Sequence, residues 1–421
     1  MRVYKFGGAS VKDAEGVKNL ARIVSLAGEE PLLIVVSAMG KTTNALEAIT
    51  TAYVGGGDAF SLLDTLKHSH EQVLADLFGT TSHPVFNEVA NTFVEIDWIL
   101  EEEPHQDFDF IYDQVVSVGE LVSTRIVNAY LEYTGISSQW VDARSFIHTD
   151  NTYREGQVDW EKTRAESTKK LLPLLESKVL VTQGFIGGTS ENYTTTLGRE
   201  GSDYSAAIFA SCLGARSLTI WKDVPGVLNA DPRLFTDTKK YSELSYPEAL
   251  EMTYYGATVI HPKTIKPLQN ARIALYVKPF YAPEEPGTLV SETSQTDTSI
   301  PAIIVKNNQA LVSMAAKDHS FITEIHLSEI FKTFATHQVK INMMQISAIS
   351  FSVCFDFDEK RFAKLVAALG SVYHLKYNSP LQLITIRHYK RDLITELTAG
   401  RVVLLEQLSR NTAQLVVKIP D

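Results

Sequence analysis

Apolar positions recur along this chain with two different periods, and the way those periods alternate changes partway along it. Near the start, short apolar runs at residues 3–6 and 32–37 flank a segment in which Val17, Leu20, Ala21, Val24 and Leu26 follow helical steps. Strand, helix and strand in that order predict a parallel β-α-β unit. The pattern breaks at residues 40–44. From Asp58 to about Gly135 the spacing is helical: Leu63, Leu66, Val73 and Leu77 recur at three- and four-residue steps or their multiples. Phe93, Ile96 and Leu100 do the same, as do Val115, Val118, Leu121, Val122 and Ile126. Short strands return at residues 139–141, 179–183, 218–221 and 274–279. An α/β domain with a helical insertion is therefore expected over residues 1–295, with a mostly parallel sheet between helices.

A polar stretch rich in Ser and Thr, residues 291–300, marks the expected boundary. Beyond it the pattern reads strand 311–316, helix 321–338, strands 339–346 and 350–357, helix 359–369 and strand 372–377. This β-α-β-β-α-β order predicts a small antiparallel α+β module. A second series opens with a strand at 381–388 and ends with another at 413–419. No closing helix follows, so the second module is expected to be truncated. The C-terminal region is thus read as a tandem over 300–421, divided into about 300–377 and 378–421.

A length of 421 residues agrees with more than one core, since single cores stop growing near roughly 250–300 residues. The net charge of -11 opposes non-specific binding to nucleic acid or an anionic membrane, so an anionic ligand needs a local site. Cys212 and Cys354 lie far apart with no His or Cys at metal-ligand spacing, which argues against a disulfide framework or structural zinc. The N-terminus reads directly into a strand, and the longest apolar runs, such as 31–39, are too short to span a bilayer. A cytoplasmic protein is expected.

Five motifs carry candidate chemistry. Lys5-Phe6-Gly7-Gly8-Ala9-Ser10 ends a strand in paired glycines, which let a phosphate approach the backbone at a helix start; a tight turn would use the same residues. Ser37-Ala38-Met39-Gly40-Lys41-Thr42-Thr43-Asn44 contains Gly-Lys-Thr, but Val35 stands where a P-loop needs glycine. It remains a hydroxyl-rich loop suited to a small polar ligand. The third motif runs from Thr194 through Gly198-Arg199-Glu200-Gly201-Ser202-Asp203 to Ser205. In it Arg199 suits a carboxylate and Asp203 an ammonium group, and Ser202 or Asp203 equally suits a helix cap. Trp221-Lys222-Asp223-Val224-Pro225-Gly226-Val227, followed by Asp231-Pro232-Arg233, ends a strand where open α/β sheets bind ligands. Gly256-Ala257-Thr258-Val259-Ile260-His261-Pro262-Lys263-Thr264 places Pro262 to begin a helix, and His261 is read as structural.

Taken in order, these motifs resemble the aspartate kinase family, within the amino acid kinase fold, over nearly the whole chain. The C-terminal modules are similar to that family's paired ACT domains. The resemblance implies ATP-dependent phosphorylation of the aspartate side chain, with Mg²⁺ held through the nucleotide phosphates and no dedicated metal cage. It implies that Lys5, Gly7, Gly8 and Ser10 cradle the transferred group, with Lys5, Gly8 and Asp203 at the chemistry. Thr43, Glu120, Arg199 and Ser202 would contact aspartate. Lys222, Asp223, Leu228, Arg233, Thr258, Val259 and Lys263 would line the nucleotide. Ile341, Asn342, Gln345 and Ser347 would line a site for an amino-acid effector, lysine or threonine, in a homodimer or dimer-based assembly joined through the ACT region.

The chemistry is coherent, because a carboxylate with a pKa near 4 is already ionised and needs no general base. Three positions depart from the family pattern. Glu200 replaces a frequent glycine, Thr258 a frequent lysine, and Asn342 an aspartate found in lysine-inhibited members. Acetylglutamate and glutamate 5-kinases share the glycines, but not the Arg199-to-Asp203 run together with two terminal modules.

Overall fold

The computed structural model describes residues 1–257, 260–294, 298 and 300–419. Two compact units divide the chain. The first comprises Met1–Val227, Lys240–Leu250 and Val259–Gln295, and the second Leu228–Lys239, Glu251–Thr258 and Thr296–Asp421.

The first unit opens as its periodicity predicts, with β1 (Arg2–Phe6), α1 (Ala14–Ser25) and β2 (Leu32–Val36). Asp13 caps α1 by accepting from Gly16 N at 2.8 Å, and Val17, Leu20, Ala21 and Val24 turn one buried face inward. Helices α2 (Thr42–Val54), α3 (Ala59–Phe78), α4 (Val85–Glu101), α5 (Phe108–Val116) and α6 (Val118–Tyr133) form the helical insertion. There follow β3 (Ser138–Trp140), α7 (Trp160–Leu175), β4 (Val179–Gln183), β5 (Ile186–Gly188), β6 (Thr194–Thr196), α8 (Gly201–Cys212) and β7 (Ser217–Lys222). The unit closes with β8 (Glu243–Ser245), α9 (Tyr246–Tyr255, whose last turn belongs to the second unit), α10 (Pro262–Ala271), β9 (Ala274–Pro279) and β10 (Thr288–Ser291).

Its main sheet runs β3-β4-β2-β1-β7-β9-β10-β8. Every pairing is parallel except β9 with β10. All five residues of β2, Leu-Leu-Ile-Val-Val, are buried, as expected of a central parallel strand covered on both faces. Two short strands, β5 and β6, pair separately beside it.

The second unit is built on β11 (Ala302–Ala316), α11 (Glu324–Thr336), β12 (Ile341–Ile346), β13 (Phe351–Asp356), α12 (Glu359–Leu369), β14 (Tyr373–Arg387), α13 (Arg391–Thr398), β15 (Val403–Leu408) and β16 (Thr412–Lys418). The two expected series share one antiparallel sheet, ordered β12-β13-β11-β14-β16-β15. The long strands β11 and β14 serve both halves. Residues 311–316 of β11 begin the first βαββαβ module, whereas Ala302–Lys306 pairs with the far end of β14, from Arg387 to Leu383. That early segment supplies the fourth strand of the second module, which has a single helix, α13. The sequence pattern starts this strand at 311 because Lys306-Asn307-Asn308-Gln309 interrupts the apolar alternation. There the ladder shifts register and Asn308 adopts a left-handed φ of 53°. Likewise, the strands expected at 372–377 and 381–388 are one strand.

Ala310, Val312 and Met314 pack with Phe334 of α11 and Phe362 and Leu365 of α12 in one cluster. Leu311, Met343, Cys354, Leu381, Leu383 and Val416 form a separate one.

Candidate active site

Lys5 is the penultimate residue of β1, just ahead of Gly7 and Gly8; residues 37–43 run from the end of β2 into the start of α2; Glu120 lies in the first turn of α6. Residues 196–203 carry the chain from β6 into α8. These segments surround a cleft of about 770 Å³ lined by Lys5, Gly8, Thr43, Glu120, Arg199, Ser202 and Asp203, among others. It lies beyond the C-terminal ends of β1 and β2, the position that open α/β sheets reserve for ligands.

Close backbone approach shapes the cleft floor. A Cβ on Gly8 would stand 2.6 Å from the Ala38 carbonyl oxygen and 3.1 Å from that of Gly40. Gly40 N donates to the Gly8 carbonyl at 3.0 Å, which laces the two loops together. On the opposite wall, a Cβ on Gly184 would meet Ser202 at 2.5 Å, and one on Gly201 would meet the Phe185 ring at 2.6 Å. Helix α8 therefore starts hard against the turn after β4. Glu200 is its N-cap, in the left-handed region at φ 56°.

Charge is concentrated where the elements converge. Lys5 and Asp203 are 7% and 1% exposed and pair at 2.7 Å, with Lys222 Nζ 3.7 Å from the other Asp203 oxygen. Burial opposes ionisation of Asp203, but Lys5 and then Lys222 outweigh it and hold the carboxyl below the usual range. Glu120 is buried as well. Ala38 N donates to one of its oxygens at 3.3 Å, and the other has no hydrogen-bond partner among the described residues. Burial pushes Glu120 up to about 8, against the lowering effects of its backbone hydrogen bonds and Lys5.

The remaining expected residues fall in several places. The Gly7 carbonyl accepts from Ser10 N at 2.9 Å, and Ser10 is buried. Lys263 Nζ stands beside the cleft-lining Gly198, 3.5 Å from where a Cβ would sit. His261 caps α10 by accepting from Lys263 N, in keeping with a structural role. Asp223 is exposed after β7. Leu228 and Arg233 belong to the second unit, where Arg233 pairs with Asp231 at 2.6 Å. Thr258 and Val259 lie outside the described residues. In β12, Asn342 Nδ2 donates to Gln309 at 2.8 Å and Asp356 at 3.2 Å, while its oxygen accepts from Lys306 at 2.9 Å. Ile341 is half-buried on this strand, and Gln345 and Ser347 are exposed.

Several lining residues are absent from the sequence reading: Tyr112, Arg154, Glu155 and Phe185. Behind them, fully buried Asp113 accepts from Arg154 N and Thr196 N, both at 2.8 Å, and from Thr196 Oγ1 at 2.7 Å. One signal pointed to it: an aspartate on the apolar face that carries Val115 and Val116.

Parallel-sheet architecture, a glycine-lined cleft and a buried Lys-Asp pair suit a small anionic ligand, and residues 1–279 match the amino acid kinase family, which makes the class a small-molecule kinase. The lysine-sensitive aspartokinase 3 of Escherichia coli K12 is 32% identical over 358 residues, 84% of this chain and 78% of that protein. A chloroplastic bifunctional aspartokinase/homoserine dehydrogenase 1 of Arabidopsis thaliana is 32% identical over 383 residues, but this chain spans only 42% of its length. Among solved structures, E. coli aspartokinase III in complex with aspartate and ADP superposes with a TM-score of 0.84 at 26% identity, covering 99% of this chain and 96% of that one. The same enzyme with lysine and aspartate gives 0.83 at 27%, with the same coverage. The chain belongs to the amino acid kinase family and, within it, to the aspartokinases.

Proposed function

We propose that this chain transfers the γ-phosphoryl group of ATP to the side-chain carboxylate of aspartate, the first step towards lysine, threonine and methionine. The observation that carries the site assignment is Glu120: a buried carboxyl with one unpartnered oxygen, in a cleft also lined by Lys5 and Arg199. An α-amino acid presents the complementary ammonium and carboxylate groups. Arg199 is suited to grip the carboxylate bidentately, and Thr43 and Ser202 add hydroxyl contacts. Lys5, held by Asp203, neutralises charge on the transferred group, while Gly7, Gly8 and Ser10 provide its backbone cradle.

The acceptor carboxylate is already ionised, so alignment and charge neutralisation suffice without a general base. Lys222, Asp223, Lys263, Thr258 and Val259, with Leu228 and Arg233, are assigned to the nucleotide. Among the described residues no three His, Cys, Asp or Glu side chains form a metal cluster. Mg²⁺ is assigned to the nucleotide phosphates and water, where it would offset phosphate charge.

The ACT-like region is assigned to feedback by lysine or threonine at Ile341, Asn342, Gln345 and Ser347, and to homodimer formation. A coupled ADP-release assay with aspartate, glutamate and acetylglutamate tests the catalytic reading. Turnover dependent on aspartate alone is expected; equal turnover with either alternative acceptor would refute it.

A further inference from the structure

We infer that Arg154 is a second substrate-recognising arginine, lining the cleft beside the Gly198-Arg199 turn, where its carbonyl oxygen lies 3.2 Å from the position of a Cβ on Gly198. This rests on the cleft being the aspartate site. Arg154 lines the cleft together with Lys5, Thr43, Glu120 and Arg199. Its backbone is left-handed at φ 65°, a conformation that suits glycine and is strained for a long side chain. Strain of this kind persists where surrounding structure over-determines it, and it clusters at functional sites.

The clamp is visible. Asp113 accepts from Arg154 N and, with the same carboxylate, fixes Thr196 two residues ahead of the Gly198-Arg199 turn. Arg154 is thereby tied to the strand that leads into the Arg199 loop. Its guanidinium lies 4.3 Å from the ring centre of Tyr112, another lining residue, and stacking of this kind leaves the in-plane N–H donors available.

Nearby acids do not consume the charge. Asp109 stands 3.4 Å away and Glu47 3.9 Å, and their side chains are 60% and 49% exposed. Such exposed pairs are weak and readily exchanged. A substrate with two carboxylates and one ammonium group needs a cation for each carboxylate, and the cleft then supplies Arg199 for one and Arg154 for the other. Arg154 also offsets Glu155 and Glu200, which place negative charge on the same lining.

The test is steady-state kinetics of the full chain carrying Arg154→Gly, which suits the backbone and removes the cation. A melting temperature no lower than wild type, a KM for aspartate raised about tenfold and an unchanged KM for ATP are expected. Arg154→Asn, also tolerant of positive φ, should behave alike, and Arg154→Lys should recover part of the loss. An unchanged KM for aspartate in folded Arg154→Gly and Arg154→Asn, or a rise confined to ATP, would overturn the inference. A wild-type chain with no aspartate-dependent ADP release would overturn the aspartate reading itself, so the two failures are distinguishable.

Discussion

Lys5 and Glu120 show how burial turns ordinary side chains into a site. Lys5→Ala removes the closest cation from Asp203 and is expected to lower kcat by roughly 10²-fold or more, as for loss of an electrostatic stabiliser; near-normal turnover would exclude that role. Glu120 makes a pH prediction. With its folded pKa raised to about 8, the native state holds a proton that the unfolded chain releases near its ordinary value. The associated stability is fully present below that ordinary value and is lost as pH rises towards 8. Glu120→Gln should flatten this decline in melting temperature while raising KM for aspartate more than for ATP. A pH slope identical to wild type would contradict the assignment. Lys5, Arg199 and Asp203 were legible as cleft residues because each sits in a local motif, whereas Glu120 lies in none of the five and was reached only through the family resemblance. Asp113 and Arg154 were not legible, because one acts through a helix-to-strand contact and the other through a backbone conformation.

Elements followed the hydrophobic period where each one buries a face of its own. Helices α3 and α4 and strands β1, β2, β4, β7 and β9 coincide closely with the predicted segments, because repeated apolar steps leave few alternatives. The single run read from Val115 to Ile126, by contrast, joins the end of α5 to α6, which the structure separates at Ser117. The short strands β8 and β10 carry too few residues to show a period, and α2 follows a loop whose hydroxyls masked its start. In the second unit, polar residues at the 306–309 shift divided one strand into a linker and a shorter strand. Two substitutions probe element junctions in the first unit. Gly8→Ala forces a Cβ to 2.6 Å from a carbonyl oxygen, so the β1 and β2 loops must separate. Turnover should fall at least tenfold with the fold retained by circular dichroism. Glu200→Gly relieves a positive φ at the start of α8 and should stabilise the chain by about 1 kcal/mol, read as a higher melting temperature. A lower one would show that the Glu200 side chain contributes more than its backbone strain costs.

At the scale of the whole molecule, the six-stranded sheet ends on β12, which among the described residues pairs only with β13. An edge strand offers unpaired backbone groups to another chain unless something blunts it. Here the edge and the turn after it expose Met344, Ile346 and Ile349 at 49%, 54% and 58%, with no charged side chain between Ile341 and Ser350. Gln345 and Ser347, two of the assigned effector residues, lie on the same stretch. Pairing two copies about a two-fold axis would bury this apolar edge on both at once and place the effector residues at the contact. A ligand there that favours one arrangement would then act by population shift. Ile346→Lys puts a charge into that contact while leaving the catalytic cleft untouched. Sedimentation equilibrium of the full chain should give a dimer or a dimer-based assembly for wild type and a smaller species for Ile346→Lys. The variant should keep its aspartate-dependent turnover and lose inhibition by lysine or threonine, whichever acts on wild type. Equal masses for the two proteins, together with equal inhibition, would place both the assembly and the effector site elsewhere than β12.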